Sequence, residues 1–288
     1  MEHSAYLIAE IGGNHGGDPN KADDLIRAAA MAGADAIKMQ AYRPEYLVTG
    51  DAPAYWGASG TQRQYFETTA SFPLAVWKHL AAQASAYRIA FLLSAFDEEL
   101  VDELDPLVAA WKVASGDITH QSLIRRIASK GKPVLLSTGA STIPEIYQAL
   151  EWLGELPVCI MHCCLSYPAY ANDANLRCIL TLRKTFTREI GWSDHILGNP
   201  DVLRTAYALG ANALEKHFTI HTDADGPDHT HSWTPLSLRA DREAVDHLRD
   251  YLGTGEKIVQ QCESAARRYA RRSMHRIDGQ PRMLRPNY

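Results

Sequence analysis

Glu189–Thr219 reads EIGWSDHILGNPDVLRTAYALGANALEKHFT. A short apolar run, Glu189–Ser193, leads into an amphipathic segment, Val202–Leu209, that Gly210 closes in the way helices end. A second short run, Ala213–Thr219, follows at once. Strand, helix and strand joined by short connections make a parallel crossover unit, because parallel neighbours need a crossover rather than a hairpin.

The same period extends in both directions from this stretch. Tyr6–Ile11 reads as a strand and Pro19–Ala32 as a helix with Pro in its first turn. Ala36–Ala41 is a second strand, followed by a long polar insertion to Ser71. A helix beginning near Phe72-Pro73 precedes a strand at Ile89–Leu93. Glu98–Leu104 is helical, Ala110–Ala114 extended, and Ser122–Lys130 helical with Gly131 and Pro133 behind it. Val134–Ser137 is a strand, Ile143–Leu153 a helix stopped by Gly154, and Val158–Cys163 a strand. Asn175–Phe186 and Leu238–Leu252 complete the helices. Eight strands alternating with eight helices in 288 residues predict an α/β fold closed as a (β/α)8 TIM barrel over residues 1–252. Residues 253–288 read as a tail with a short Arg-rich helix and no further element. A doubly wound sheet would carry a G-x-G-x-x-G turn after its first strand, and Gly12-Gly13-Asn14-His15-Gly16-Gly17 lacks that spacing.

The net charge of −5 gives no case for nucleic acid, which leaves a basic surplus. The one basic cluster, Arg267, Arg268, Arg271 and Arg272, reads as a solvated helix face or a subunit contact. No apolar run reaches the ~18 residues of a membrane helix, and Met-Glu-His-Ser is no signal peptide. Five cysteines lack a paired C-x-x-C spacing, and three lie in the apolar run Val158–Cys164. Buried thiols and a cytoplasmic protein are the expectation.

Barrel strands face helices outside and packed side chains inside, so charges within them need a reason. Glu10, Lys38, Gln40, Lys112 and His217 all fall on the alternation that faces the barrel axis, toward the C-terminal strand ends where barrel sites form. Glu215 shares that phase and leaves Lys216 out of it. An internal Lys–Glu network is one reading of these charges. The loops beyond the strands are polar as well: Asn14-His15, Ser115-Gly116-Asp117, Ser137-Thr138-Gly139 and Ser193-Asp194-His195. A ligand site accounts for both.

His195 and His217 end neighbouring strands and can bind one divalent ion while leaving positions open. Two nitrogens with nearby oxygens favour Mn²⁺, Mg²⁺ or Co²⁺ over structural Zn²⁺. Lys38 and Lys112, with the Ser and Gly loops, suit an anionic, phosphate-bearing substrate. Asp228 and His229 in Gly226-Pro227-Asp228-His229 read either as a supporting carboxylate or acid/base, or as a turn.

Eight ordered motifs together resemble the sialic acid synthase family. They are Ile8-Ala-Glu-Ile-Gly-Gly-Asn-His15, Ala34-Asp-Ala-Ile-Lys-Met-Gln40, Trp111-Lys-Val-Ala-Ser-Gly-Asp117, Leu136-Ser-Thr-Gly139, His162-Cys163 with Tyr167-Pro168, Trp192-Ser-Asp-His195, Leu214-Glu-Lys-His-Phe-Thr219 and Gly226-Pro-Asp-His229. The resemblance implies a metal-dependent condensation of phosphoenolpyruvate with an aldose or N-acylhexosamine-like acceptor. The product would be a nonulosonate-type α-keto acid sugar, with phosphate released. It implies His195 and His217 as metal ligands, with Mn²⁺ the first choice. Lys38 and Ser94 would meet the phosphoenolpyruvate carboxylate, and Lys112, Ser115, Ser137 and Ser193 its phosphate. Glu10, Gln40, Tyr167 and Asp228 would surround the acceptor and the attacking water, with Glu10 or Asp228 handling its proton. A homodimer is implied too.

Two departures from the family pattern stand out. Leu165 falls where the family has a polar residue that touches substrate. The lead-in to the family's antifreeze-like domain, Ala270-Arg-Arg-Ser273, is followed by the end of the sequence at Tyr288. The expectation is a changed acceptor, or a lid supplied by a separate protein. Two other readings compete: an aldolase with Lys38 or Lys112 as Schiff-base nucleophile, and a barrel that binds phosphoenolpyruvate and metal without turnover.

Overall fold

A computed structural model describes residues 5–54, 60–69, 72–270 and 274–283. Eight parallel strands close into a barrel in sequence order: β1 (Tyr6–Glu10), β2 (Ala36–Ala41), β3 (Ala90–Ala95), β4 (Ala110–Val113), β5 (Val134–Ser137), β6 (Val158–Cys163), β7 (Glu189–Asp194) and β8 (Ala213–His217). Between them lie α1 (Pro19–Ala32), α2 (Pro44–Leu47), α3 (Gln62–Thr68), α4 (Leu74–Ala86), α5 (Glu98–Leu104), α6 (Gln121–Ala128), α7 (Ile143–Leu153), α8 (Arg177–Thr185) and α9 (Pro200–Ala208), and α10 (Pro235–Leu252) follows β8. The fold is the expected (β/α)8 TIM barrel.

Local chemistry sets the helix ends. Asp18 accepts from the Asn20 amide ahead of Pro19, and Gly33, at φ 99°, closes α1 in the left-handed region. The insertion between β2 and β3 is less irregular than its polar composition suggested. It contains α2 and also α3, whose first turn is held by reciprocal bonds between Thr61 and Gln64.

The outer face of every strand packs on the helices in one continuous core that includes Trp77, Trp111, Trp192 and Trp233. Inside the barrel a second, smaller core is made by Ile8, Ala36, Leu92, Leu135, Met161 and Ala213. Gly191 belongs to this plug by absence of bulk: a Cβ there would sit 2.3 Å from the Met161 sulfur. Strand alternation then places Glu10, Lys38, Ser94, Ser137, Cys163 and Glu215 two residues further along, one layer higher.

The chain divides into two compact units, Met1–Tyr251 and Leu252–Tyr288. In the second, α11 (Ser264–Tyr269) is the expected Arg-rich helix, and an antiparallel pair, β9 (Met274–Ile277) and β10 (Gln280–Met283), corrects the expectation of a featureless tail. Asp278 and Gly279 turn the pair with φ of 53° and 76°, the backbone that a two-residue hairpin demands. Arg271 and Arg272 of the basic cluster lie outside the described residues, as do Ser71, Ser273 and Met1–Ser4.

Candidate active site

The C-terminal mouth of the barrel holds a polar cavity, at the end of the barrel where such folds place their sites. All the candidate residues line it except Asp228, which stands behind His217. Glu215, Phe96 and Ala114 complete the wall.

The register explains the assembly: Glu10 pairs with Lys38 on one side and His217 on the other, Gln40 with Ser94, Ser94 with Lys112, and Ser193 with Glu215. A chain of alternating charge results. Gly12 N and Gln40 Nε2 donate to Glu10 Oε1 at 2.8 and 3.1 Å, and Glu10 Oε2 pairs with Lys38. Lys38 Nζ lies 3.7 Å from Glu215 Oε1, and Lys112 Nζ donates to Glu215 Oε2 at 2.7 Å. Ser193 Oγ donates to Glu215 Oε1 at 3.1 Å. All four charged groups are buried, so each needs the others.

Glu215 is the hinge of this chain. Burial alone would raise its carboxyl, but Lys112 and Lys38 overcome that and hold it down to about 2. Glu10 goes the other way: burial lifts it above the usual carboxylate range, with Lys38 opposing and Glu215 adding to the rise. Burial depresses Lys38, yet Glu10 and Glu215 together raise it, so the amine stays protonated. A Schiff-base nucleophile must be a free amine, so Lys38 is unsuited to that role. The internal network anticipated from the strand charges is present, and it lines the cavity rather than filling it.

On the far side of the cavity lie the polar loops. Gly139 N donates to Ser115 Oγ at 3.0 Å, which joins the loops after β4 and β5. A Cβ on Gly139 would stand 2.9 Å from Ser115 Oγ and 3.0 Å from Leu165 Cβ, so Leu165 packs directly over this turn. The Ser94 hydroxyl is buried with no hydrogen-bond partner among the described residues. Such a group costs about 1–3 kcal/mol unless a ligand satisfies it.

His195 and His217 stand side by side, ring centroids 5.8 Å apart, with the Tyr167 ring 4.2 Å from His195. His195 Nδ1 donates to the Cys164 carbonyl at 2.7 Å, which leaves a lone pair on Nε2. Burial pushes both imidazoles down to about 3, so they are neutral, as metal ligands must be. His217 Nδ1 has no hydrogen-bond partner and lies 3.8 Å from Asp228 Oδ2.

The loop after β8 carries a residue that sequence reasoning missed. Phe218 N donates to Glu10 O at 2.6 Å and Trp233 N to His217 O at 2.6 Å. Asn14 Nδ2 donates to Phe218 O at 2.9 Å, and Ser232 Oγ to Asp228 O at 2.6 Å. These bonds fold the loop back across the mouth and set His231 beside His217, ring centroids 5.1 Å apart. His229 turns away and bonds the Thr219 hydroxyl at 2.8 Å, which is a structural duty. His15 is structural as well, accepting from Gly17 N at 3.0 Å and stacking on Phe72. The H-x-H spacing of His229 and His231 was the available signal, but nothing in it says which of the two faces inward.

Fold and site together define the class: a (β/α)8-barrel enzyme whose mouth joins a lysine–carboxylate chain, hydroxyl-bearing loops and clustered imidazoles. Residues 25–257 match the NeuB family, and the chain belongs to that family. It is 38% identical to an uncharacterised protein of Methanocaldococcus jannaschii over 93% of this chain and 78% of that protein. With the N,N'-diacetyllegionaminic acid synthase of Campylobacter jejuni it shares 33% identity over 93% and 83% of the two chains. Among solved structures, the N-acetylneuraminic acid (sialic acid) synthetase of Leptospira borgpetersenii superposes with a TM-score of 0.85 at 32% identity, covering 93% of this chain and 91% of that one. The chain is thus an enzyme of the sialic acid synthase kind.

Proposed function

We propose that this enzyme condenses phosphoenolpyruvate with a sugar-like aldehyde acceptor to give a nonulosonate-type α-keto acid sugar. C3 of the enol attacks the aldehyde carbon, water adds at C2, and phosphate leaves. The observation that carries the reading is the pair of buried lysines tied to one carboxylate, Glu215, beside the hydroxyls of Ser115, Ser137 and Ser193.

Lys38 and the Ser94 hydroxyl, which has no hydrogen-bond partner among the described residues, suit the carboxylate of the enol, because both line the cavity from neighbouring strands. Lys112 with Ser115, Ser137 and Ser193 suits its phosphate, since lysine acts as a point charge and hydroxyls donate around it. Gln40 and Tyr167 lie toward the acceptor. Glu10, its carboxyl raised by burial, suits transfer of the water proton, with Asp228, also raised by burial, as the alternative. Neutral His195 and His217 fit a divalent ion, Mn²⁺, Mg²⁺ or Co²⁺, and the unpartnered His217 Nδ1 supports that fit. Such an ion would polarise the acceptor carbonyl. Holding two substrates together in one closed site reduces the entropic barrier to their reaction.

The test is phosphate release from phosphoenolpyruvate across a panel of aldoses and N-acylhexosamines, with and without Mn²⁺. Release that needs one acceptor class, needs the ion, and is lost in His217→Ala is the expected result. Phosphoenolpyruvate binding without release on any acceptor would overturn the condensation.

A further inference from the structure

His231 is a buried polar group that the proposed condensation does not use. Its side chain is 0% exposed, yet neither ring nitrogen has a hydrogen-bond partner among the described residues. A histidine kept only for packing normally bonds at least one nitrogen, as His15 and His229 do here. His231 instead points its Nε2 at Asp228 Oδ1, 3.9 Å away, while His217 Nδ1 approaches Asp228 Oδ2 at 3.8 Å.

His217, Asp228 and His231 each offer one ligand atom, and the three atoms lie within 4.8 Å of one another. Donors on one ion sit about 2.0–2.2 Å from it, so no two can be more than about 4.4 Å apart. The set is therefore within a small contraction of ligation. His195 adjoins it, its ring centroid 6.3 Å from that of His231, with the Nε2 lone pair left open by the bond from Nδ1 to Cys164.

We propose that His231 is a third imidazole donor to the divalent ion, completing with His217, Asp228 and the neighbouring His195 a nitrogen-rich site that selects a borderline transition ion such as Co²⁺ over Mg²⁺. This rests on the metal-bearing site of the proposed function and extends it. The physical reason is ligand type. Imidazole suits the later first-row divalent ions, whose affinity rises along the series from Mn²⁺ toward Cu²⁺, whereas Mg²⁺ prefers carboxylate, carbonyl and water. Each nitrogen added to the set widens that preference.

The experiment is calorimetric titration of metal-free protein with Co²⁺ and Mg²⁺, together with the visible absorption of the Co²⁺ form. Wild type, His231→Ala and His231→Phe are compared, the last because Phe refills the ring volume without a donor. Thermal melts of the metal-free proteins check that each variant is folded. Co²⁺ affinity should fall about tenfold or more in both variants. Mg²⁺ affinity should change little, and the Co²⁺ spectrum should shift. Wild-type Co²⁺ affinity and an unchanged spectrum in a folded His231→Phe protein would overturn the inference while leaving the condensation untouched. Acceptor-dependent phosphate release by wild type is the separate readout. Its absence, with His231-dependent Co²⁺ binding intact, would remove the condensation and support the metal site.

Discussion

The barrel interior has two layers of opposite character, built from the same eight strands. The lower layer is the apolar plug of Ile8, Ala36, Leu92, Leu135, Met161 and Ala213. The upper layer, two residues further along, carries Glu10, Lys38, Ser94, Ser137 and Glu215, all buried. None of these six side chains is ionisable, and their contribution is hydrophobic burial, which any well-fitting apolar side chain supplies. The mouth keeps its charges at a desolvation cost, offset only while each has its partner. One layer suits stability, and the other suits the ligand proposed above. The outward-facing pair of Lys216 and Asp194, 2.8 Å apart, shows that a buried ion pair alone does not mark a site. What distinguishes the mouth is that its chain of charge borders open space.

The largest separation between the layers should come from Lys112→Met. It removes a cation from the cavity and leaves Glu215 with Lys38 alone. We expect about 10²–10³-fold loss of phosphate-release activity, the scale for losing one positioned donor. Stability should fall as well, because the Lys112–Glu215 pair is broken. The double change Lys112→Met with Glu215→Leu should regain much of that stability and none of the activity, since an apolar pair can replace a buried ion pair structurally but not chemically. Denaturant unfolding alongside the assay decides this. Recovery of activity in the double variant would dissolve the contrast.

Leu92→Ala tests the plug. Loss of about 2–5 kcal/mol of stability is expected from the cavity it leaves. KM for phosphoenolpyruvate should stay within about twofold of wild type. A large KM effect would mean the two layers are mechanically coupled.

The pH dependence of stability should next separate the plug from the loop that follows β1. Burial pushes His15 down to about 4 from its usual 6.5, so the unfolded chain binds the proton first on acidification. Its contribution is complete above pH 6.5 and is lost as pH falls from there through about 4. His15→Gln should flatten the fall in melting temperature over that window. Leu92→Ala should lower the melting temperature by a similar amount at pH 7.5 and pH 5, because the plug binds no protons.

Ser94→Ala should have the smallest effect. The hydroxyl has no partner among the described residues, so stability should stay within about 0.5 kcal/mol of wild type. KM for phosphoenolpyruvate should rise by up to about tenfold, roughly 1.4 kcal/mol of lost binding. An unchanged KM would place Ser94 outside the substrate contacts.

Much of this molecule is decided by short-range pattern. The alternation of strand-length and helix-length apolar runs, punctuated by Gly33, Gly154 and Gly210, is enough for a barrel, because side-chain direction alternates along a strand whatever surrounds it. By the same rule Glu10, Lys38, Lys112 and His217 were readable as inward-facing from their phase alone. Tertiary structure decided the rest. That Glu215 joins both lysines depends on which strands meet when the barrel closes, with β8 beside β1. That His231 stands beside His217 while His229 bonds Thr219 depends on bonds such as Asn14 to the Phe218 carbonyl, between residues 204 positions apart in the chain. Local periodicity carries no record of such contacts, because they exist only once the two ends of the barrel have met.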